Sequence, residues 1–352
     1  MKKIGILSMQ RIINFGSFLQ AYALSDIVRS LGNEVEFVDF KVEPCAVEPE
    51  IPLSVDSVPE SRKKAVKYIL KAHENFNKNI LSDINVTTRN ENSKVDTLLI
   101  GSDEIFNCLQ KNPVVGYSLE MFGKNANADK IISYAASCGD TTYERICKHN
   151  KQKEISELLN KFSAISVRDE NSREFVEKLS DIKPINHLDP VLIYDFKDVE
   201  IDTANLENYI IAYAYDFNFS EEEANYIKEF AKKHNKKILS FSICYQDFAD
   251  IVVDIHPFEI FSYFRKADFV ITNTFHGTIF SIKTHTPFVS FTRNYNTQKL
   301  GDLIERLEFQ DRRIYSLKEL EDKYNKPIDF SKCDERLKNE RIRSIEYLKE
   351  NL

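Results

Sequence analysis

The fold of this chain is decided by a strand that leads directly into a helix, Asp268-Phe269-Val270-Ile271-Thr272-Asn273-Thr274-Phe275-His276-Gly277. Its apolar run is typical of a strand buried on both faces of a parallel sheet. Asn273, Thr274 and Gly277 are turn or cap residues, and the next residues continue as a helix. His276 is therefore placed beside a helix amino terminus at a strand's carboxyl end, where open α/β sheets bind ligands and where amides favour anions. The alternative is a capping histidine in an ordinary strand-to-helix turn.

Length and composition indicate a globular protein of about two domains. The chain has 352 residues, of which 42% are hydrophobic and 29% are charged. Its formal charge of −7 argues against binding nucleic acid through bulk charge. Six cysteines without a CxxC pair argue against a metal site or a disulfide framework and favour a reducing compartment. The chain turns polar soon after Leu7 and has no long apolar run, so we expect no signal peptide, no membrane span and a cytoplasmic location.

The alternation of strands and helices predicts an α/β fold of two doubly wound domains. The first begins with a strand at 3–8, a helix at about 17–31 and a strand at 35–40. The loop between the first strand and the helix has one glycine, Gly16, where the dinucleotide fingerprint GxGxxG needs three. We place the first domain at 1–195, the second at 205–330, and a terminal helix that packs back at 331–352.

Candidate ligand-binding residues lie at or just past the carboxyl ends of many predicted strands. They are Asn14, Gly16, Asp103, Asn107, Ser137, Arg168, His256, His276 and Arg293. Because the carboxyl ends of parallel strands meet at one edge of a sheet, they predict one ligand cleft between the two domains. Arg168 is either a fork for phosphate or carboxylate, or the ion-pair partner of Asp169 or Glu170. His256 is either a ligand-binding or a structural residue.

A lysine-rich helix is predicted at about 61–80. Lys64, Lys67 and Lys71 lie opposite its apolar face. This pattern is typical of a solvated helix face, and it also fits a helix that lies on a membrane surface.

The sequence resembles the polysaccharide pyruvyl transferase family in segments that occur in order along most of the chain. They are NFGSFLQAYAL (14–24), GSDEIFN (101–107), ISYAAS (132–137), AISVRD (164–169), LDP (188–190), IHP (255–257) and NTFHG (273–277). The resemblance implies two Rossmann-like domains in a GT-B-like arrangement. It also implies transfer of the enolpyruvyl carbons of phosphoenolpyruvate onto a sugar, which gives a cyclic ketal and phosphate. The implied acceptor is a lipid-linked intermediate of capsular or exopolysaccharide synthesis at the inner face of the cytoplasmic membrane.

A binding site for phosphoenolpyruvate must supply positive charge, because this donor carries a phosphate and a carboxylate. We expect no cofactor besides this donor substrate. In this interpretation His276 protonates the methylene carbon or binds the phosphate, and Asp103 is the general base or accepts a hydrogen bond from a sugar hydroxyl. The donor-binding residues are then Arg168, Arg293, Asn273, Thr274, Gly277 and His256. The acceptor-binding residues are Asn14, Gly16, Ser17, Asn107 and Ser137.

One departure from the family leaves the donor cation open. Several members of the family resemble each other in having an Arg-Leu-His triplet where this chain has Thr274-Phe275-His276. In this chain Arg293, Arg11 or Lys299 would supply the missing charge.

Two other functions fit the same pattern. One is a GT-B glycosyltransferase that uses a nucleotide sugar, and the other is a non-catalytic saccharide-binding relative.

Overall fold

The computed structural model describes residues 1–10, 12–80, 84, 86–215, 218–292 and 297–352, with only the backbone of residues 86–89, 297 and 298. The strands in these ranges are β1 (Lys3–Leu7), β2 (Glu34–Asp39), β3 (Val86–Arg89), β4 (Val95–Asp103), β5 (Ala128–Ala136), β6 (Ser166–Val167), β7 (Ile185–Asn186), β8 (Tyr209–Tyr213), β9 (Lys237–Phe241), β10 (Ile251–Val253), β11 (Phe269–Thr272), β12 (Phe288–Phe291) and β13 (Arg313–Ile314). The α-helices are α1 (Phe15–Ser30), α2 (Glu60–Asn79), α3 (Tyr143–Lys148), α4 (Gln152–Leu159), α5 (Glu170–Glu177), α6 (Pro190–Ile193), α7 (Glu221–Lys233), α8 (Ile260–Lys266), α9 (Phe275–Lys283), α10 (Thr297–Arg306), α11 (Leu320–Asn325) and α12 (Ser331–Asn351).

Two units divide the chain. The first unit comprises Met1–Pro52, the described residues of Leu81–Tyr194, and Leu337–Leu352. The second unit comprises Leu53–Ile80 and the described residues of Asp195–Arg336. The prediction of a first domain at 1–195 differs from this division, because residues 53–80 belong to the second unit and residues 337–352 belong to the first.

The first unit is built on a parallel sheet in which seven described strands have the order β3-β2-β1-β4-β5-β6-β7. The central strands β1 and β4 are apolar on both faces, and Ile4, Ile6, Leu98 and Ile100 are fully buried. Such strands are typical of a parallel sheet covered by helices on both faces. The strand order reverses between β1 and β4, and open α/β sheets bind ligands at the carboxyl ends of strands where the order reverses.

The second unit repeats this plan with the order β10-β9-β8-β11-β12-β13, again all parallel in the described part of the chain. Its order reverses between β8 and β11. The strand β11 is buried along its whole length, as its uninterrupted apolar sequence predicts. The two parallel sheets confirm the prediction of two Rossmann-like doubly wound domains.

The lysine-rich helix α2 belongs to the second unit because its side chains contact residues that follow β9. Nε of Arg62 lies 3.5 Å from Oδ2 of Asp247, and the rings of Tyr68 and Tyr245 lie 5.7 Å apart. The sequence could not show these partners, since they lie far along the chain. The apolar face buries Val66, Ile69, Ala72 and Phe76.

None of the helices in the described ranges is both long and apolar enough to cross a membrane.

The part of α12 from Leu337 onward packs on the first unit. The hydroxyl of Tyr347 donates to the carbonyl of Ser133 at 2.9 Å, and its ring lies 4.7 Å from that of His187. The ring of Tyr134 stacks on the ring of His187, with the two ring centres 5.6 Å apart. Burial raises the pKa of Tyr347, so its hydroxyl stays protonated and serves as a donor. This aromatic contact fixes the end of α12 against β5.

We expect Tyr347→Ala to lower the free energy of unfolding by about 3–5 kcal/mol, because it removes a buried ring and leaves a cavity. Tyr347→Phe removes only the hydrogen bond and should cost about 1 kcal/mol. Urea unfolding followed by circular dichroism measures both values. Ile342→Ala on the exposed side of the same helix is the control. A loss for Tyr347→Ala no larger than for Ile342→Ala would contradict this packing.

Candidate active site

The first turn of α1 lies against the end of β4 in the first unit. Oδ1 of Asn14 caps α1 by accepting from the amide of Ser17 at 2.7 Å. The hydroxyl of Ser17 donates to Oδ2 of Asp103 at 2.7 Å. Gly16 is buried within the same turn. The structure therefore brings four of the predicted residues together where the strand order reverses.

Asp103 and Arg168 form a buried ion pair. Nη2 of Arg168 lies 3.3 Å from Oδ1 of Asp103, and its Nη1 lies 2.7 Å from Oδ2 of Asp189. Burial alone would lower the pKa of the guanidinium, but the two carboxylates outweigh it and raise the pKa of Arg168 above its ordinary value. Asp103 adopts a left-handed backbone conformation with φ of 68°, which aspartate tolerates better than most residues.

The predicted ion-pair partners of Arg168 were wrong. Asp169 instead caps α5, accepting from the amide of Ser172 at 2.8 Å, and Glu170 pairs with Arg173. Both are neighbours of Arg168 in sequence, whereas its true partners are brought to it by the strand order. The donor-binding role of Arg168 stays a prediction, and the structure shows that carboxylates already bind both of its terminal nitrogens.

Asn107 and Ser137 also make hydrogen bonds within the first unit. Nδ2 of Asn107 donates to Oε2 of Glu104 at 2.8 Å, and the hydroxyl of Ser137 donates to Asp169 at 2.5 Å. Gly139 adopts φ of 57° and has no room for a side chain, because a Cβ would lie 2.5 Å from Nδ2 of Asn107. Sequence reasoning missed Glu104 as part of this group, although it directly follows Asp103 in the segment GSDEIFN.

The second unit places His276 in the first turn of α9, at the carboxyl end of β11. Thr274 is the N-cap and accepts from the amide of Gly277 at 2.9 Å. The alternative in which His276 caps this helix is therefore wrong. His276 is 7% exposed, and the centre of its ring lies 5.4 Å from that of Phe275 and 6.1 Å from that of Phe280. Nδ2 of Asn273 donates to Oδ1 of Asn218 at 2.9 Å, which fixes the turn before the helix.

Gly277 lets α9 begin very close to the sheet. A Cβ at this position would lie 2.7 Å from Oγ1 of Thr274 and from the ring of Tyr213, and closer still to Oγ1 of Thr272. These atoms belong to the cap and to buried strands, which cannot move far. Gly277 thus holds the amino terminus of α9, with its amides and His276, at the end of β11.

His256 has a structural role in the second unit. Its Nδ1 accepts from the amide of Phe258 at 3.3 Å, and its own amide donates to Oε1 of Glu259 at 2.9 Å. The second hydrogen bond belongs to the capping box of the turn Pro257–Glu259, in which Glu259 is the N3 residue. This supports the structural alternative for His256, whose ligand-binding role stays a prediction.

Two of the predicted cations, Arg11 and Arg293, lie outside the described residues, and Lys299 lies in α10. Sequence reasoning missed Arg313, whose Nε donates to Oγ1 of Thr292 at the end of β12. It begins a strand of only two residues, and no apolar pattern marks a strand so short. Among the described residues, no three His, Cys, Asp or Glu side chains could together hold a metal ion.

We expect Arg168→Met to lower the free energy of unfolding by about 3–5 kcal/mol, because it leaves two buried carboxylates without a cation. Urea unfolding followed by circular dichroism tests this. Arg173→Met, which removes two partly exposed ion pairs, should cost less than about 1 kcal/mol. Equal losses in the two variants would count against a buried network.

Solved structures similar to this chain share its fold at low sequence identity. The glycotransferase of kitacinnamycin has 11% identity and a TM-score of 0.52, with 100% of this chain and 99% of that chain covered. The UDP-GlcNAc 2-epimerase of Methanocaldococcus jannaschii has 11% identity and a TM-score of 0.51, with 99% and 100% covered. The UDP-GlcNAc 2-epimerase of Neisseria meningitidis has 12% identity and a TM-score of 0.50, with 96% and 98% covered. These likenesses confirm the GT-B-like fold class.

No curated protein sequence matches this chain. The sequence model of the polysaccharide pyruvyl transferases matches residues 14–295, which is more than half of the chain. The matched range includes both the Asn14–Asp103–Arg168 group and the His276 turn. The ordered series of motifs and the two Rossmann-like units agree with this match, and the chain belongs to the polysaccharide pyruvyl transferase family.

Proposed function

We propose that this protein transfers the enolpyruvyl group of phosphoenolpyruvate to two hydroxyls of one sugar, in an intermediate of capsular or exopolysaccharide synthesis. Membership of the family carries the reaction class. The observation that best supports this donor is the His276 turn, in which a buried histidine lies at the start of a helix and at the end of a buried strand. Helix amides and an imidazole suit a small ligand with phosphate and carboxylate groups.

The chemistry requires two proton acceptors and one proton donor. The first sugar hydroxyl loses its proton and its oxygen bonds to the central carbon of phosphoenolpyruvate, while the methylene carbon gains a proton and becomes a methyl group. The second hydroxyl then loses its proton and its oxygen bonds to the same carbon, as the bond from that carbon to the phosphate oxygen breaks. The products are a cyclic ketal that carries a carboxylate and a methyl group, and inorganic phosphate.

The described residues fit these roles as follows. His276 protonates the methylene carbon or binds the leaving phosphate, because a positioned imidazole can donate a proton or a hydrogen bond to a reacting group. Asp103 accepts a hydrogen bond from a sugar hydroxyl. Its carboxylate is held in one orientation by Ser17 and Arg168, as expected of a group that positions or deprotonates a substrate.

We expect His276→Gln and Asp103→Asn each to lower the turnover rate by about 10²–10⁴-fold, the contribution typical of one acid or base. The assay measures phosphate release from phosphoenolpyruvate and the mass added to galactose- and mannose-type lipid-linked acceptors. His285→Gln is the matched control, since this histidine of the second unit is bound to Asp334 and is largely exposed.

No turnover with any acceptor of the panel would weigh against the proposed function. Full activity of His276→Gln in a working assay would overturn the assignment of this histidine. Thermal stabilisation by a nucleoside diphosphate, without stabilisation by phosphoenolpyruvate, would favour a nucleotide-sugar transferase instead.

We also propose that the basic face of α2 contacts an anionic membrane that carries the acceptor. Lys64, Lys67 and Lys71 are exposed, and their spacing places them on one face of the helix. No acid among the described residues forms an ion pair with them. A local basic face is notable in a chain of net charge −7, because it can attract anionic headgroups that the whole protein would repel.

We expect flotation with vesicles that contain anionic lipid at low salt, and none with neutral vesicles. Each lysine near the surface contributes about 1 kcal/mol, so replacing all three with glutamine should abolish flotation. Replacing Lys228, Lys232 and Lys237, which are exposed elsewhere on the second unit, is the control. Absence of flotation at low salt, or an equal loss in the control, would remove this contact.

A further inference from the structure

Arg313 lies at the carboxyl end of β12, although it is the first residue of β13. The two strands are parallel, with Ser290 opposite Arg313 and Phe291 opposite Ile314. The side chain of Arg313 extends along the sheet, and its Nε donates to Oγ1 of Thr292 at 3.2 Å. Thr292 directly follows β12. The guanidinium is therefore carried to the edge of the sheet at which α9 begins.

Two contacts hold the guanidinium in place. Its central carbon lies 5.1 Å from the centre of the Tyr315 ring. Gly301 of α10 lies on another side of the guanidinium. A Cβ at position 301 would be 3.0 Å from Nη1 and 3.3 Å from Nη2 of Arg313. Glycine inside a helix costs about 1 kcal/mol relative to alanine, and here it leaves room for the guanidinium. The orientation of Arg313 is thus determined by packing before any ligand is present.

Within the described part of the chain, most of the hydrogen-bonding capacity of Arg313 has no partner. Only its Nε makes a hydrogen bond to a described residue. Its Nη1 lies 3.8 Å from Oε1 of Glu305, whose side chain is 65% exposed, and such a long exposed pair contributes little. The Arg313 side chain itself is 15% exposed. Two terminal nitrogens in a fixed plane match the two oxygens of a carboxylate or phosphate.

The same face of the sheet carries the start of α9. The hydroxyls of Thr278 and Ser290 lie 2.9 Å apart, so α9 packs on the face of β12 that Ser290 shares with Arg313. Adjacent strands are about 4.8 Å apart, so β13 and β11 are separated by roughly 10 Å. An arginine side chain spans much of that distance. The helix amides beside His276 and the fork of Arg313 can therefore hold two anionic groups of one small ligand.

We propose that Arg313 binds an oxyanion, either a carboxylate or a phosphate group, at the carboxyl edge of the second sheet. The site is complete within the second unit. Its assignment to phosphoenolpyruvate rests on the proposed function, whereas its affinity for oxyanions does not.

Calorimetric titration of the full chain with inorganic phosphate, pyruvate and phosphoenolpyruvate tests the proposal. Arg313→Gln should weaken binding of phosphoenolpyruvate by about 10- to 100-fold, because it removes a charged, two-pronged donor. Arg313→Lys should restore part of the affinity, since lysine keeps the charge without the fork. In turnover, the KM for phosphoenolpyruvate should rise more than kcat falls. Gly301→Ala should weaken binding with Arg313 still present.

The control is Arg265→Gln. Arg265 lies in the last turn of α8 and pairs with Glu200, before β11 rather than after it, and its loss should leave binding unchanged. Urea unfolding checks that every variant folds. Selective loss of phosphate or of pyruvate binding in Arg313→Gln identifies which group the fork holds, and either result supports the site.

Three outcomes would overturn the site: wild-type protein that binds none of the three probes, Arg313→Gln that binds all of them as wild type does, or an equal loss in Arg265→Gln. The proposed function is tested separately by the same titrations. Binding of inorganic phosphate that depends on Arg313, without binding of phosphoenolpyruvate, would keep the site and refute the donor.

Discussion

The first unit depends on one buried cation. Arg168 follows β6, yet its terminal nitrogens reach Asp103 at the end of β4 and Asp189 beyond β7. Placing two carboxylates in a water-poor interior is costly unless a partner with matching geometry satisfies both. The guanidinium does so with a separate nitrogen for each acid. One side chain thereby joins the ends of β4, β6 and β7, which are far apart in sequence. Through Asp103 it also fixes the first turn of α1.

The second unit reaches the same strand order with different chemistry. Its carboxyl edge is organised by the hydroxyls of Thr272 and Thr274 and by the missing side chain of Gly277. The contacts of the His276 turn are made by hydroxyls, an amide and aromatic rings, whereas the first unit presents the carboxylates of Asp103 and Glu104 at the end of β4. This difference supports the division of roles in the proposed reaction. Carboxylates suit an acceptor that must lose hydroxyl protons, and helix amides with His276 suit an anionic donor.

The sequence was most informative where local pattern decides structure. The apolar run before Asn273 and the cap residues after it predicted β11 and α9 correctly, because periodicity and capping are local properties. The partners of Arg168 could not be predicted in this way. They lie 65 residues before it and 21 residues after it, and only the strand order brings them together. Arg313 was missed for a similar reason, since a two-residue strand at the sheet edge leaves no pattern.

The docking of Tyr347 on β5 makes the first unit discontinuous in sequence. Its sheet comes from residues before 195, but part of its aromatic packing is supplied by residues after 336. A fragment that stops at residue 195 would leave the rings of Tyr134 and His187 facing water. Separating this unit for study on its own would therefore require a graft of residues 337–352, or a circular permutation that places them beside β1, rather than a simple truncation.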